Sequence, residues 1–411
     1  MRMRKIPVLL AALLLSVIVA VAPGCRPAPT GGDQPPVAHA GIRPQWGSQA
    51  PGEAAVQMID ANVGWAVTRD GIARTSDGGS HWSAVTPAGT AGASESGSAW
   101  PDAAFGQAHF FGPDAAVVAR AEAGNTIAVY RTADGGVNWT RSSFQTLSVD
   151  APWLRGIGFA DETNGWLLVN FGGVAMGSEL VGIYTTADGG ASWTPATVID
   201  PASQQPDRLP LGGTKSGVTF ISDKVGWVAG GSHADGVWLY ITYDGGRTWR
   251  QAGLPVPRGY STEGGAVRTY PPLFFDRAGL LPAAFGAERS LIFFTSADGG
   301  ATWKATMAVP AGPDATGFVW AFADAAHGWL SDGTNLYATT DGAVNWTAVA
   351  ADNRLTDLVR SGFRITELNF IDSATGWALL RSGDAVTGTL ALLRTTDGGR
   401  NWSDCGAPTA P

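Results

Sequence analysis

Thr75-Ser76-Asp77-Gly78-Gly79-Ser80-His81-Trp82 returns six more times along the 411-residue chain: TADGGVNW (132–139), TADGGASW (186–193), TYDGGRTW (242–249), SADGGATW (296–303), TTDGAVNW (339–346) and TTDGGRNW (395–402). Seven copies of one octapeptide set the period of the chain, and the rest is spacing between copies. Apolar β-formers run into each copy, as in Ile183-Tyr184-Thr185 and Leu291-Ile292-Phe293-Phe294, and an aromatic leaves it. The Asp can accept backbone N–H groups two residues on, as in an Asx-turn, and Gly-Gly supplies the positive φ of a tight hairpin. The Trp then starts a new strand and needs apolar cover from its own repeat or the next. Asp77, Asp134, Asp188, Asp244, Asp298, Asp341 and Asp397, with Trp82, Trp139, Trp193, Trp249, Trp303, Trp346 and Trp402, therefore read as structural.

A second motif keeps step with the first. F-x-D-x-x-x-G-W and near variants end at Trp166, Trp227, Trp329 and Trp377, and Met58 stands for Phe in the copy ending at Trp65. Two repeats lack this Trp: Phe111-Gly112-Pro113-Asp114 runs into Ala116-Val117, and Phe274-Phe275-Asp276 into Gly279-Leu280. Asp and Gly again bracket a turn between apolar runs. Each repeat thus reads as a four-stranded meander: strand A ends in the Phe, B starts at Gly-Trp, C runs into the octapeptide and D leaves from its Trp. The Trp-to-Trp intervals, mostly 54 to 57 residues and 43 between Trp303 and Trp346, suit four strands plus connections. A unit of this size cannot bury both faces of its sheet, so neighbours must stack, and seven copies suggest a seven-bladed propeller. No helical stripe with caps is evident after the N-terminal segment, so the expected fold is all-β.

Met1 to Lys5 carries three basic residues, Ile6 to Ala22 is apolar, and Pro23-Gly24-Cys25 follows. This is the pattern of a secretory signal. Cys25 after a small residue resembles a bacterial lipoprotein cleavage site, which implies lipid attachment at Cys25 and an extracytoplasmic, membrane-anchored protein; plain secretion or an uncleaved anchor is the alternative. The expected organisation is a signal peptide over 1–24, a Pro/Gly/Ala-rich tether over 25–52 with Trp46 docking on a terminal blade, and the repeat array over 53–411.

Composition suits an exported folded body: 45% hydrophobic residues, 56 glycines and 15% charged residues. The net charge of −8 argues against affinity for nucleic acid or anionic membranes. Cys405 is left without a partner once Cys25 is processed, so no disulfide scaffold is expected. The five histidines (39, 81, 109, 233, 327) lack paired zinc spacing, and one Asp before Gly-Gly supplies too few oxygens for calcium. No phosphate loop, nucleophile elbow or dinucleotide fingerprint occurs, and no cofactor is expected.

The pattern S/T-x-D-x-G-x-x-W resembles the Asp box (BNR-like repeat) of β-propellers such as sialidases, xyloglucanases, sortilin and the photosystem II assembly factors. The resemblance implies that the box is a structural turn rather than a site. Sialidases have six blades and an F/Y-R-I-P signature, which is absent: Phe363-Arg364-Ile365 continues with Thr366. Xyloglucanases of this type pair two propellers, and sortilin-type receptors have ten blades. The two motifs together look most like the propeller of the photosystem II stability and assembly factors, a family that binds partner proteins without catalysis. The expected function is thus a lipid-anchored binding or assembly module whose partner is another envelope protein or a glycan. A carbohydrate-active hydrolase or a glycan-binding protein is the competing reading.

Strands A and C run the same way, so the A–B turns and the boxes share one face, and the irregular length falls on the other. The long D-to-A connections contain Arg208 and Lys215 in one case, and Arg258, Tyr260, Glu263, Arg268 and Tyr270 in another. Long loops on a rigid scaffold, rich in Arg and Tyr, are where partner contacts concentrate. These seven residues are the candidate binding set.

Overall fold

The computed structural model describes residues 55–408 apart from 69–70, 89, 91–105, 147–151, 174–176, 200, 202–206, 235, 310–316 and 384–387. The chain divides between Gln34 and Pro35, and all described residues belong to the second unit. The expected signal segment, Cys25 and the tether with Trp46 lie outside the described residues.

The third repeat displays the rule. Its strands Trp153–Phe159, Gly165–Gly173, Glu179–Thr186 and Thr194–Val198 pair in order, each antiparallel to the next. Phe159 lies opposite Gly165 in the register, and a Cβ on Gly165 would stand 2.5 Å from the Phe159 ring. Glycine is demanded there because the motif's aromatic ring lies across the neighbouring strand. Gly226, Gly328 and Gly376 meet Phe220, Phe322 and Phe370 in the same way, and Gly64 meets Met58. The turn between is held by Asp161, whose Oδ1 accepts the N–H groups of Thr163 and Asn164 at 2.8 Å. Asp60, Asp324 and Asp372 repeat this. In the fourth repeat the Ser222 hydroxyl takes over, accepting from Lys224 and Val225 at 3.1 Å. The two repeats without the Trp differ from the sequence alignment. Phe110, not Phe111, pairs with Ala116 and stacks on Trp65, and Phe274 pairs directly with Gly279 across a tighter turn in which Asp276 takes φ 53°.

The octapeptide is a different turn from the expected Asx-turn. Thr186 Oγ1 donates to Asp188 Oδ1 at 2.8 Å and accepts the Gly190 N–H at 2.9 Å. Asp188 then accepts not two but four residues on, from the Ser192 N–H at 2.8 Å and the Ser192 hydroxyl at 2.6 Å. Every copy keeps a donor before its Trp: His81, Asn138, Ser192, Thr248, Thr302, Asn345 or Asn401. Both glycines take positive φ, 70° and 91° at Gly189 and Gly190. In the sixth copy Ala343 adopts φ 66°, a left-handed strain offset by full burial of its methyl group. The first Gly N–H of each box donates to a carbonyl of the A–B turn in its own repeat, as Gly189 does to Thr163 at 2.9 Å and Gly78 to Asn62 at 2.8 Å. Boxes and A–B turns therefore do share one face.

Seven such meanders occur among the described residues, and consecutive ones share an apolar cluster. Trp65, Phe110 and Val118 belong to the cluster between repeats one and two; Val56, Met58, Trp377 and Leu379 join the seventh repeat to the first. The box indoles reach the preceding repeat as well as their own, where Trp82, Trp193, Trp249 and Trp402 donate to the second glycine carbonyl of their box. Trp139 Nε1 donates to Val85 O at 2.8 Å and Trp82 Nε1 to Gly406 O at 2.9 Å, while Trp249 fills the cluster between repeats three and four. The second-motif indoles reach forward, Trp166 to Val218 O and Trp377 to Gly78 O. Neighbouring repeats are therefore riveted by indoles from one side or from both, the last to the first included.

Two departures stand out. A short strand, Val267–Thr269, pairs with both the fourth and the fifth repeat and merges them into one nine-stranded sheet; the other five sheets have four strands each. An α-helix, Asn353–Arg360, occupies the connection between repeats six and seven, where no helix was expected. It is two turns long, too short for a periodic stripe to register, and places Leu355, Leu358 and Val359 on one face against the cluster those repeats share. Asp352 caps it, accepting from Leu355 N and, through its other oxygen, from Trp402 N at 3.1 Å. No helix among the described residues is long and apolar enough to cross a membrane.

Candidate partner-binding surface

Strands A of neighbouring repeats run side by side. Each ends at the box face with its motif aromatic, so residues that begin strand A lie at the opposite face. Arg155 is third in Trp153–Phe159, and Lys215 and Ser216 are second and third in Thr214–Phe220. Arg155 Nη1 reaches Lys215 O at 3.4 Å from one side, and Arg268 Nε donates to Ser216 Oγ at 3.2 Å from the other. Two guanidinium groups from separate repeats thus flank one strand end.

Aromatic rings frame them. Arg155 lies over Trp153 at 4.5 Å, and Tyr270, two residues beyond Arg268, meets Trp320 edge-on at 5.1 Å. Burial pulls the Arg155 guanidinium below its usual range, Glu179 opposes this, and the like charge of Arg268 adds to it. Glu179 Oε1 accepts from Arg155 Nη2 at 2.7 Å and Oε2 from the Lys215 N–H at 2.7 Å, fixing the arginine to the strand.

The candidate residues fall into three groups. Arg268 and Tyr270 join the cluster just described, and Tyr270 is half-buried, its phenol pushed up by burial. Arg258 and Glu263 are exposed on the same long connection, whose Tyr260 packs on Phe285 at 5.0 Å. Hydrogen bonds from Ser261 N to Glu288 and from Gly236 N to Thr262 O moor that connection to both flanking repeats. Arg208 and Lys215 are elsewhere than expected. Arg208 donates to Arg247 O inside the fourth box at 3.1 Å, because Asp207 O accepts the Trp249 N–H and draws the connection down to the box side. Lys215 is fully buried: its ammonium donates to Leu211 O at 2.8 Å and Gly213 O at 2.7 Å, beside the Trp238 ring. Burial lowers its pKa to about 8, with Glu179 opposing. It ties a connection to the core instead of presenting a charge.

Arg155 and Glu179 were not singled out in the sequence, since they sit inside strands and come together only through pairing. Among the described residues no three of His, Cys, Asp and Glu gather as a metal site would require. His109 is buried between Phe111 and Phe159, and burial lowers its pKa to about 3. Burial raises the pKa of the Cys405 thiol, the opposite of what a nucleophile needs.

No family model and no curated protein matches the chain. Among solved structures it is similar to YCF48 bound to D1 peptide, with 18% identity and a TM-score of 0.51 over 87% of this chain and 98% of that one. YCF48 from Cyanidioschyzon merolae gives 19% identity and a TM-score of 0.51 over 85% and 97%. A GH74 xyloglucanase from Xanthomonas campestris gives 14% identity over 91% and 69%, with a TM-score of 0.37. At these identities the likeness concerns the fold alone: this is an all-β chain with a propeller fold similar to that of YCF48.

Proposed function

We propose that the seven meanders are the blades of one closed propeller, and that the chain is a non-catalytic module that binds a protein partner on the face away from the boxes. The observation that carries the reading is the pair Arg155 and Arg268 flanking the strand end at Lys215 and Ser216, beside Trp153 and Tyr270. Guanidinium groups and large aromatics at the rim of a rigid scaffold are the side chains that anchor protein interfaces. A partner segment bearing a carboxylate suits the exposed Arg268, whereas Arg155 is already paired with Glu179. YCF48, of similar fold, is known in complex with a D1 peptide, which supports a polypeptide ligand. Lipid on Cys25 would hold this module at the extracytoplasmic face of a membrane.

The test is capture of partners from envelope extract. Arg258→Ala with Arg268→Ala should weaken capture and leave the thermal midpoint unchanged, while glycoside substrates offered to the same sample should stay intact. Normal capture by that variant, with loss on charge reversal beside the boxes, would put the surface on the other face. For the anchor, labelled fatty acid should enter the protein and Cys25→Ala should release it from membranes.

A further inference from the structure

The first repeat is smaller than the second. Its middle strands Gly64–Val67 and Ile72–Thr75 have four residues each, whereas the corresponding Ala116–Glu122 and Thr126–Thr132 have seven. Among the described residues the second repeat therefore projects past the first, and the sheet face it turns toward that neighbour loses its cover partway. Ala116 and Val118 are covered and belong to the shared cluster. Arg120 and Glu122 continue the same alternation beyond it. Tyr130 and Arg141 stand opposite each other in the register, on that face. With Trp139 they line a cavity of about 870 Å³.

The polar groups in it are preset. Glu122 Oε1 accepts from the Tyr130 hydroxyl at 3.1 Å and Oε2 from Arg141 Nη2 at 2.7 Å. Arg120 Nη1 donates to Thr90 O at 3.1 Å. Glu122 and Arg141 keep side-chain exposures of 29% and 45%, so both retain hydrogen-bonding capacity toward the cavity. The bond from Trp139 Nε1 to Val85 O fixes the half-buried indole.

A carboxylate and a guanidinium held side by side offer acceptors and donors a few ångströms apart. Vicinal sugar hydroxyls, each both donor and acceptor, bridge such a pair, and the half-buried Trp139 indole suits the C–H face of a pyranose, while the buried Tyr130 holds Glu122 in place through its hydroxyl. A phosphate or carboxylate would meet Glu122, and an apolar ligand would strand several polar groups without partners. The volume lies within the usual range for small-ligand sites. We propose that this cleft between the first and second repeats binds a neutral oligosaccharide. Glu122 is the only carboxylate among its described lining residues, so the two-carboxylate machinery of glycoside hydrolysis is not assembled there, and the cleft holds a glycan rather than cuts it. This site is separate from the arginine cluster and does not depend on it.

The test is calorimetric titration of the full chain with cellotriose, xylotriose, maltotriose and chitotriose, beside trigalacturonate. Saturable binding of at least one neutral trimer is expected, weakened about tenfold or more by Glu122→Gln and by Tyr130→Phe, as loss of a hydrogen bond to a charged group predicts. Arg141→Lys, at an exposed position, gives a third variant should burial make Tyr130→Phe fold poorly. Arg258→Ala with Arg268→Ala should bind the sugar as the parent does, which separates this site from the partner surface. The proposal is overturned if none of the neutral trimers binds, if binding is unchanged in Glu122→Gln, or if trigalacturonate binds more tightly than every neutral trimer.

Discussion

Gly226→Ala is the sharpest test of how the repeats are built. A Cβ at this position would stand 2.5 Å from Phe220 Cδ1, where ordinary van der Waals contact begins at 3.4 Å, so one partner must move by nearly an ångström. Phe220 has little room: it is buried, with Trp166 at 5.6 Å and Trp249 edge-on at 6.2 Å. Overpacking of this kind costs about 1–3 kcal/mol. Against that stands a gain of about 0.4–1 kcal/mol from the stiffer unfolded chain, since Gly226 does not need a positive φ. The expected net loss is about 1–2 kcal/mol, read as a lower urea midpoint at constant m-value. Gly156→Ala, in strand A of the third repeat with no neighbouring atom within 4 Å, should be neutral or gain the entropic term. Phe220→Ala should cost about 3–5 kcal/mol alone and abolish the penalty of Gly226→Ala in the double variant. If Gly226→Ala matches the parent, or costs the same with and without the Phe220 ring, the steric account of the motif is wrong.

Three further outcomes are expected. Asp188→Ala removes the acceptor of three hydrogen bonds and should cost about 1–3 kcal/mol in urea titration, without altering partner capture beyond what is lost in folding. Hydrogen bonds from Ser192 hold the Asp188 carboxyl, and those from Asn401 the Asp397 carboxyl, down at about 2, below the unfolded value near ~4. Their stabilisation is present above that unfolded value and lost as pH falls through about 2, so the acid limb of the stability curve should flatten in Asp188→Ala. For Lys215 stability again rises with pH but in another window: its folded pKa is depressed from 10.5 to about 8, so the burial penalty on the ammonium persists below about 8 and is relieved as pH rises toward 10.5. The parent should therefore gain stability relative to Lys215→Met over that window, by urea titration at stepped pH. Asp352→Ala should cost about 1–2 kcal/mol by melting, because one carboxylate both caps the helix and receives the Trp402 N–H.

The period, the strand order within each repeat and the sharing of one face by both turns were legible because they rest on local chemistry repeated seven times. Asp, Gly and Trp at fixed spacing leave few alternatives for a hairpin. What depends on pairing across repeats was not legible. Val267–Thr269 reads like any stretch of loop, yet it zips two meanders together, and Lys215 reads as a surface charge until Glu179 and the carbonyls of Leu211 and Gly213 close around it. Arg208 misled for a similar reason: the length of its connection was visible, but not the hydrogen bond from Trp249 to Asp207 that bends it to the box side. The cleft lined by Glu122, Tyr130 and Arg141 arises from a mismatch in strand length between neighbours, and no single repeat contains that information.

The boxes bear on chemical ageing. Each contains Asp-Gly, the context in which an aspartate most readily closes into a succinimide and reopens as isoaspartate, a reaction in which the glycine nitrogen attacks the aspartate side chain. Here each of those nitrogens has its hydrogen committed to a carbonyl of the A–B turn, at 2.8–2.9 Å in all seven copies. The carboxylate it would attack is held at both oxygens, as Asp188 is by Thr186 and Ser192. The same bonds that shape the turn thus keep nucleophile and electrophile apart, and isoaspartate should accumulate in aged protein only where a blade has frayed. Its distribution among the seven boxes, mapped by peptide mass spectrometry, would record which blade opens most often.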